Sequence, residues 1–587
     1  MDREGTAVTA VRALSLILVA AVLQGWALFG LHHALEQHHW PATSPAWTFA
    51  LYAVTLFVPA TLELLAEHAR AAALWVTVAV LGLLYFYFGW HHGAHVAADS
   101  FKPQSGPDYA VLAFVLGVLW LHLLPFAQCR LVTGRWAPQY PVLFAAAWRN
   151  ALVLAEAGTF TALFWLLLFL WQMLFHMLGI DFFRELFQKP IFIYPVTSLT
   201  FGCAVHLIGS VEKMTSTVLE QILSLLKWLA VIAGAILAFF TLALLFNLPN
   251  LVFSGQKAIG AAWLLWLVAV MVLLLNAAYR DGTVAKAYPG WIAQPLRAVV
   301  PLLIIISITA LYALYVRTRN FGLTVDRVWA FVVAGGAMLY SVGYTVAAFS
   351  RGAWLGAIAR VNIGAAIALS AVIGTALTPL LSPYRLAADS QFHRVQRRGL
   401  AVSENPLQYL RFRTGRYGTQ RLQELAQATT GVDAPNIRTA AAAMLARQSP
   451  WEAGALPMDT ASRLSRLTIY PVGRQLDKPL TEALLADLGK PERHFIVDRM
   501  SDVGAGVFVD LNGDKTDEFV LVFANQALAY EHRQGEWVFI GTMFDARAPG
   551  TRSGESIADD VVQGRVTVDR PKWNDLMIGT RRYRLTP

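Results

Sequence analysis

The chain is almost without cysteine: Cys129 and Cys203 are the only two in 587 residues. Both sit in apolar surroundings, so neither a disulfide framework nor a cysteine-based metal site is available. Charge is scarce too, at 14% of residues, where soluble chains carry roughly 25%. There is no glycine-rich phosphate loop and no Gly-x-Ser-x-Gly elbow. No convincing Asp/Glu pair lies at a membrane face, so the reading leans away from an enzyme. The net charge of +9 comes from basic residues spread through loops and tail. No basic patch is interleaved with aromatics, and nucleic acid is not an expected partner.

Apolar sequence fills the space that charge leaves. Hydrophobic residues make up 56% of the chain, and the partition is sharp. From Ser382 onward lie 27 of the 47 Lys and Arg and 24 of the 38 Asp and Glu. The first two thirds are therefore solvated by lipid, and an ordinary water-soluble domain follows. Ten runs are long enough to span a bilayer: Ala13–Leu31, Ala46–Leu65, Ala71–Trp90, Tyr109–Phe126, Leu152–Ile180, Ile222–Phe246, Gly260–Ala278, Ala298–Val316, Val328–Phe349 and Ala357–Leu381. The first reads as an uncleaved helix, since no small-residue cleavage site precedes His32. An eleventh run, Tyr194–Gly209, is shorter and more polar and either spans or re-enters. Before it, Asp181–Lys189 reads as a short helix in the interface.

The expected fold is a polytopic α-helical membrane bundle of ten or eleven transmembrane helices with a C-terminal α+β soluble domain. Its parts are 1–382, the bundle; 383–450, a helical juxtamembrane segment; and 451–587, mainly β. With ten spans the basic residues divide almost evenly between the two sides, and with eleven the bias is larger. Eleven spans place the N-terminus in the cytoplasm and the C-terminal domain outside it.

Few ionisable groups are expected inside spans: His122, Glu156, His176, His206 and Lys227. Glu156 is within reach of Arg149, which suits an ion pair near the interface. Two histidine-rich loops stand out, one from His32 to His39 and one with His91, His92 and His95. His91 and His95, four apart, share one face of a helical turn. With a carboxylate such as Glu36 or Asp99 they are candidate ligands for zinc, copper or nickel. The competing account places His and Trp at the bilayer interface for their amphipathic rings.

Beyond Pro383 come helical stretches near Gln391–Gly399, Leu407–Arg413, Gln420–Thr429 and Ile437–Arg447. Strands are expected at Leu467–Val472, His494–Asp498, Gly506–Asp510, Phe519–Phe523, Ala527–Glu531 and Trp537–Gly541, the last two as a hairpin across His532–Glu536. Between two strands, Asp510, Asn512, Asp514, Thr516 and Glu518 offer oxygens at alternate positions, a candidate Ca2+ cage. It is not an EF-hand, because Lys515 stands where Gly is required and Leu521 where Glu is. The loop resembles that of the FG-GAP/VCBS propeller repeat, with Lys515 replacing one Gly. Only one copy is present, and Asx-turn hydrogen bonds are the purely structural alternative.

Three further segments carry a wider likeness: Asn320–Arg327, Thr378–Leu386 with Ser390 and Gln391, and Tyr409–Tyr417. Through them the chain resembles the bacterial inner-membrane proteins with "domain of unknown function 4153" (DUF4153), over about residues 10–430. The resemblance implies a bacterial inner membrane and supplies no activity and no functional residues. The expected function is a sensory, scaffold or envelope-assembly protein whose outer domain binds calcium, another ligand or a protein partner. A small-solute transporter or channel is one alternative, and an enzyme acting on lipid-linked envelope precursors is another.

Overall fold

The computed structural model describes residues 2–96, 106–210, 212–253, 260–283, 287–350, 354–399, 406–428, 434–448, 464, 467–471, 473–488, 490, 505–523, 526–544, 566, 576–578 and 581–583. In hydrocarbon a single segment can satisfy all its backbone groups only as a helix, and the apolar runs obey. They form α1 (Asp2–Glu36), α2 (Pro45–Leu65), α3 (Ala72–Val96), α4 (Gly106–Thr133), α5 (Tyr140–Met177), the short α6 (Phe182–Gln188) and α7 (Pro190–Ser210). Then follow α8 (Glu212–Phe253), α9 (Ala261–Tyr279), α10 (Gly290–Val299), α11 (Leu302–Phe321), α12 (Val325–Phe349) and α13 (Ile358–Ala376). Among the described residues eleven helical segments are long and apolar enough to cross a membrane, α10 and α11 counting as one. The protein is a polytopic helical membrane bundle with a C-terminal α+β domain.

The uncertain eleventh run is one of the eleven, as Pro190–Gly209. It packs tightly along α1 because glycines remove the intervening side chains. A Cβ on Gly25 would stand 2.5 Å from Cα of Pro195, and one on Gly202 2.8 Å from Cβ of Ala21.

The chain divides into two compact units. The first holds Met1–Ser254, Ala258–Ala387 and Thr414–Tyr417, and the second the remainder. The chain thus leaves the membrane unit after Ala387 and returns to it for four residues. Within that unit one apolar core gathers α2, α3 and α4 with the end of α13, around Phe49, Tyr85, Leu116 and Trp120. A second gathers α8 to α13, around Met271, Leu275, Ile306 and Tyr344. The segment Asn320–Arg327 is the corner between α11 and α12. Gly322 ends α11 at φ +74°, Thr324 caps α12 through the Arg327 N–H, and the Arg327 guanidinium donates to the Gly322 carbonyl at 2.6 Å.

The second unit holds α14 from Ala388 on (the helix is Pro383–Arg398), α15 (Pro406–Arg413), most of α16 (Gly415–Gln427), α17 (Ala434–Ala446), α18 (Lys478–Leu488) and a five-stranded sheet. The strands are β1 (Thr468–Tyr470), β2 (Ala505–Val509), β3 (Glu518–Phe523), β4 (Gln526–Arg533) and β5 (Glu536–Phe544), in that spatial order. Only β1 and β2 pair in parallel. Side chains alternate as a pleat demands. Phe508, Phe519, Leu521, Leu528 and Tyr530 share one core with Leu480, Leu484 and Leu488 of α18, while Val507, Val520 and Ala529 face the other way. A separate pair, β6 (Leu576–Ile578) and β7 (Arg581–Tyr583), completes the described strands.

Two expectations need correction here. The hairpin turns on Gln534 and Gly535 alone, both with positive φ, and His532 and Arg533 join the ladder opposite Trp537 and Glu536. A two-residue turn of that kind matches the strand twist better than a five-residue loop. The helix α18 was not expected at all, though Asp477 before Pro479 is a start signal: its carboxylate accepts from the Leu480 N–H at 2.8 Å. The expected strand His494–Asp498 lies outside the described residues.

Candidate functional site

The second histidine-rich segment is not a loop. Nothing in its sequence stops a helix, and α3 continues through it to Val96. Two glycines let this end of α3 lie directly on the start of α2. A Cβ on Gly89 would stand 2.5 Å from the Phe49 carbonyl oxygen, and one on Gly93 2.3 Å from that of Pro45. The consequence is burial: His91 is 5% exposed, His92 7% and His95 2%.

The three imidazoles sit at one small cavity, of about 20 Å3, room for a single water or monatomic ion. Its apolar wall comes from Val111, Leu112 and Val115 of α4 with Trp329 and Leu377. Ser382 and Tyr384 close another side, the Tyr384 ring lying 4.2 Å from the His95 ring, centre to centre. The returning segment Thr414–Tyr417 completes the surround. Gly415 adopts φ +56°, and a Cβ there would stand 2.5 Å from the His95 carbonyl oxygen. The Tyr417 ring centre is 6.1 Å from that of His95, and the Arg416 guanidinium acts electrostatically on both His91 and His95.

The His95 ring's hydrogen bonding is one-sided. His95 Nδ1 bonds to the His91 carbonyl at 3.1 Å. Nε2 of His91, of His92 and of His95 has no hydrogen-bond partner among the described residues. Buried polar nitrogens are normally paired, so three in one place mark a site for something else. Glu36 is elsewhere: it pairs with His32 at 3.1 Å. Asp99 lies outside the described residues. Among the described residues no three His, Cys, Asp or Glu side chains converge to hold a metal ion.

No family model, curated protein or solved structure matches the chain. What the site can do is therefore argued from its own geometry.

A second buried group was missed in the sequence. Glu63 of α2 is 4% exposed, and its Oε1 has no hydrogen-bond partner among the described residues. It faces Gly202 of α7, whose added Cβ would stand 3.4 Å from Oε1. The signal was available, since a carboxyl inside an apolar run deserves suspicion. The expected intramembrane groups are mostly accounted for. Arg149 reaches Glu67 at 3.2 Å rather than Glu156, His122 Nδ1 bonds to the Val118 carbonyl at 2.7 Å, and His176 pairs with Asp181 at 2.6 Å. Lys227 lies over the rings of Trp228 and Tyr288.

In the second unit the candidate calcium ligands bond to one another and to the loop's own backbone, and no three carboxylates converge to hold a metal ion among the described residues. Asp510 Oδ1 accepts from the Gly513 N–H at 2.6 Å and Oδ2 from the Lys515 N–H at 2.9 Å. Asn512 Nδ2 donates to Asp514 Oδ2 at 3.0 Å and to Glu518 Oε1 at 2.9 Å. The N–H and hydroxyl of Thr516 both donate to Asp514 Oδ1. Asp517 turns outward to Arg474. Lys515 occupies the left-handed region at φ +69°, the conformation a glycine would adopt without strain. The Thr516 hydroxyl is the main reason that the Asp514 carboxyl lies below its ordinary range, with the Thr516 N–H and the Asn512 amide adding to it.

Proposed function

We propose that this is a multi-pass sensory or scaffold protein of the bacterial inner membrane. Its membrane unit binds one small ligand at His91, His92 and His95, and its C-terminal unit responds. The observation that carries this reading is where the cavity's walls lie in the chain. Ser382 and Tyr384 line it just before the exit after Ala387, and on the return Gly415 and Tyr417 lie against His95, itself a lining residue. Occupancy that moves either wall therefore pulls on both ends of 388–413. In full-length protein in nanodiscs, Tyr384→Ala is expected to raise amide exchange across 388–413. Unchanged exchange there, in a variant that stays folded, argues against sensing.

The same reading puts the N-terminus in the cytoplasm, the C-terminal unit in the periplasm and calcium at the Asp510 loop. The sequence spacing of the loop's oxygens supports calcium, and a melting temperature indifferent to chelator would count against it. Family membership is part of the proposal. Two of the resembling segments have work in this fold: one builds the α11–α12 corner, and Ser382 and Tyr384 of another line the histidine cavity. Transport of a small solute is a second reading, favoured by unpaired Glu63 between helices. It predicts that Glu63→Gln abolishes a proton flux in proteoliposomes that the unaltered protein supports.

A further inference from the structure

We infer that His91 and His95 bind a single copper(I) ion in the membrane unit, through their Nε2 atoms. This names the ligand of the sensory reading and rests on it only for its biological use.

Tautomer is the first support. A metal-binding imidazole gives its other nitrogen to a carbonyl, which fixes the ring and leaves a lone pair for the ion. His95 does this through Nδ1 to the His91 carbonyl at 3.1 Å. His91 leaves its Nε2 without a hydrogen-bond partner among the described residues. Spacing is the second support, since residues four apart on a helix present two rings to one ion. The ring centres are 5.8 Å apart, about the separation two rings take when each nitrogen lies ~2.0 Å from one ion between them.

Charge chooses among the metals. Among the described residues the cavity lining contains no carboxylate, so a divalent ion would carry its whole charge into an apolar surround, which is costly. Arg416 adds to that cost by acting on both rings. A monovalent ion pays less, and Tyr384 sets an aromatic ring beside His95 at the same cavity. Geometry agrees: no third ligand converges among the described residues, and copper(I) accepts as few as two neutral nitrogens. Zinc and nickel need four or more donors.

The test uses full-length protein in detergent, stripped of metal and kept reduced, titrated with copper(I) against a chromogenic copper(I) chelator. One ion per chain is expected, with an X-ray absorption spectrum of two nitrogen neighbours. His91→Ala and His95→Ala should each lose it, while the exposed pair His38→Ala/His39→Ala keeps it. If an alanine variant does not fold, His95→Gln and the absorption spectrum decide. Binding that survives both cavity variants, or that vanishes with His38 and His39, overturns the proposal, as does a preference for zinc. Copper bound without any change in exchange over 388–413 would retain the site and refute sensing. Changed exchange in Tyr384→Ala without copper binding would do the reverse.

Discussion

Two polar clusters are buried in the same bundle, and they are built on opposite rules. In the larger core, Asn362 of α13 donates to Tyr140 at 2.9 Å and to Asn276 at 2.6 Å, and accepts from Tyr344 at 2.9 Å. Nearby, Ser307 and Ser341 bond to each other at 2.9 Å. This network ties α5, α9, α12 and α13 together and leaves Asn362 no free donor for a ligand. The histidine cluster, in the other core, leaves three nitrogens open. A satisfied network fixes helix positions, whereas an unsatisfied one keeps binding capacity at the expense of stability. That contrast distinguishes structural polarity from functional polarity without any relative to compare.

The comparison can be broken at its frame first. Gly93→Ala would force the new methyl into the Pro45 carbonyl oxygen, 2.3 Å away, and push α2 from α3. A loss of about 3 kcal/mol is expected, the upper end for overpacking, measured by thermal unfolding in detergent. Asn362→Leu comes next. It strands the hydroxyl of Tyr344, leaves Tyr140 only its long bond to Asn276 at 3.5 Å, and should remove about 2 kcal/mol. His92→Leu sharpens the contrast from the other side. Its Nε2 has no partner to lose, so the variant should melt higher, by about 1 kcal/mol. A lower melting point would show that the imidazole is satisfied after all.

The smallest effect concerns the Asp510 loop and acid. The Asp514 carboxyl titrates below its ordinary range in the folded chain, so the folded state binds fewer protons than the unfolded state as pH falls. The loop's stabilisation is complete above the unfolded value of about 3.9 and disappears as pH drops through the depressed one. The protection factor of the Thr516 amide, which donates to Asp514, should therefore hold steady at neutral pH and fall only below about pH 4.

Much of this was legible in the residues. Apolar run length reports spans directly, because lipid leaves the backbone few solutions. The Asp510 loop was legible because its oxygens are close in sequence. Half of the histidine site was legible as well: the four-residue interval between His91 and His95 is a property of any helix. That α3 would run on and bury them was not, since this depends on Gly89 and Gly93 meeting the backbone of α2. Nor could Glu36 be assigned, because helix packing alone decides which carboxylate approaches which ring.

The sequence by itself determined a multi-span bundle, a polar C-terminal domain and a helix carrying histidines on one face. These are local quantities, set by run length, charge density and helical period. Only the tertiary structure decided that Tyr384 and Thr414–Tyr417 return to those histidines and that Glu63 lies against α7. Such contacts join residues far apart in the chain, and their geometry is fixed by close packing between helices, which no local pattern encodes.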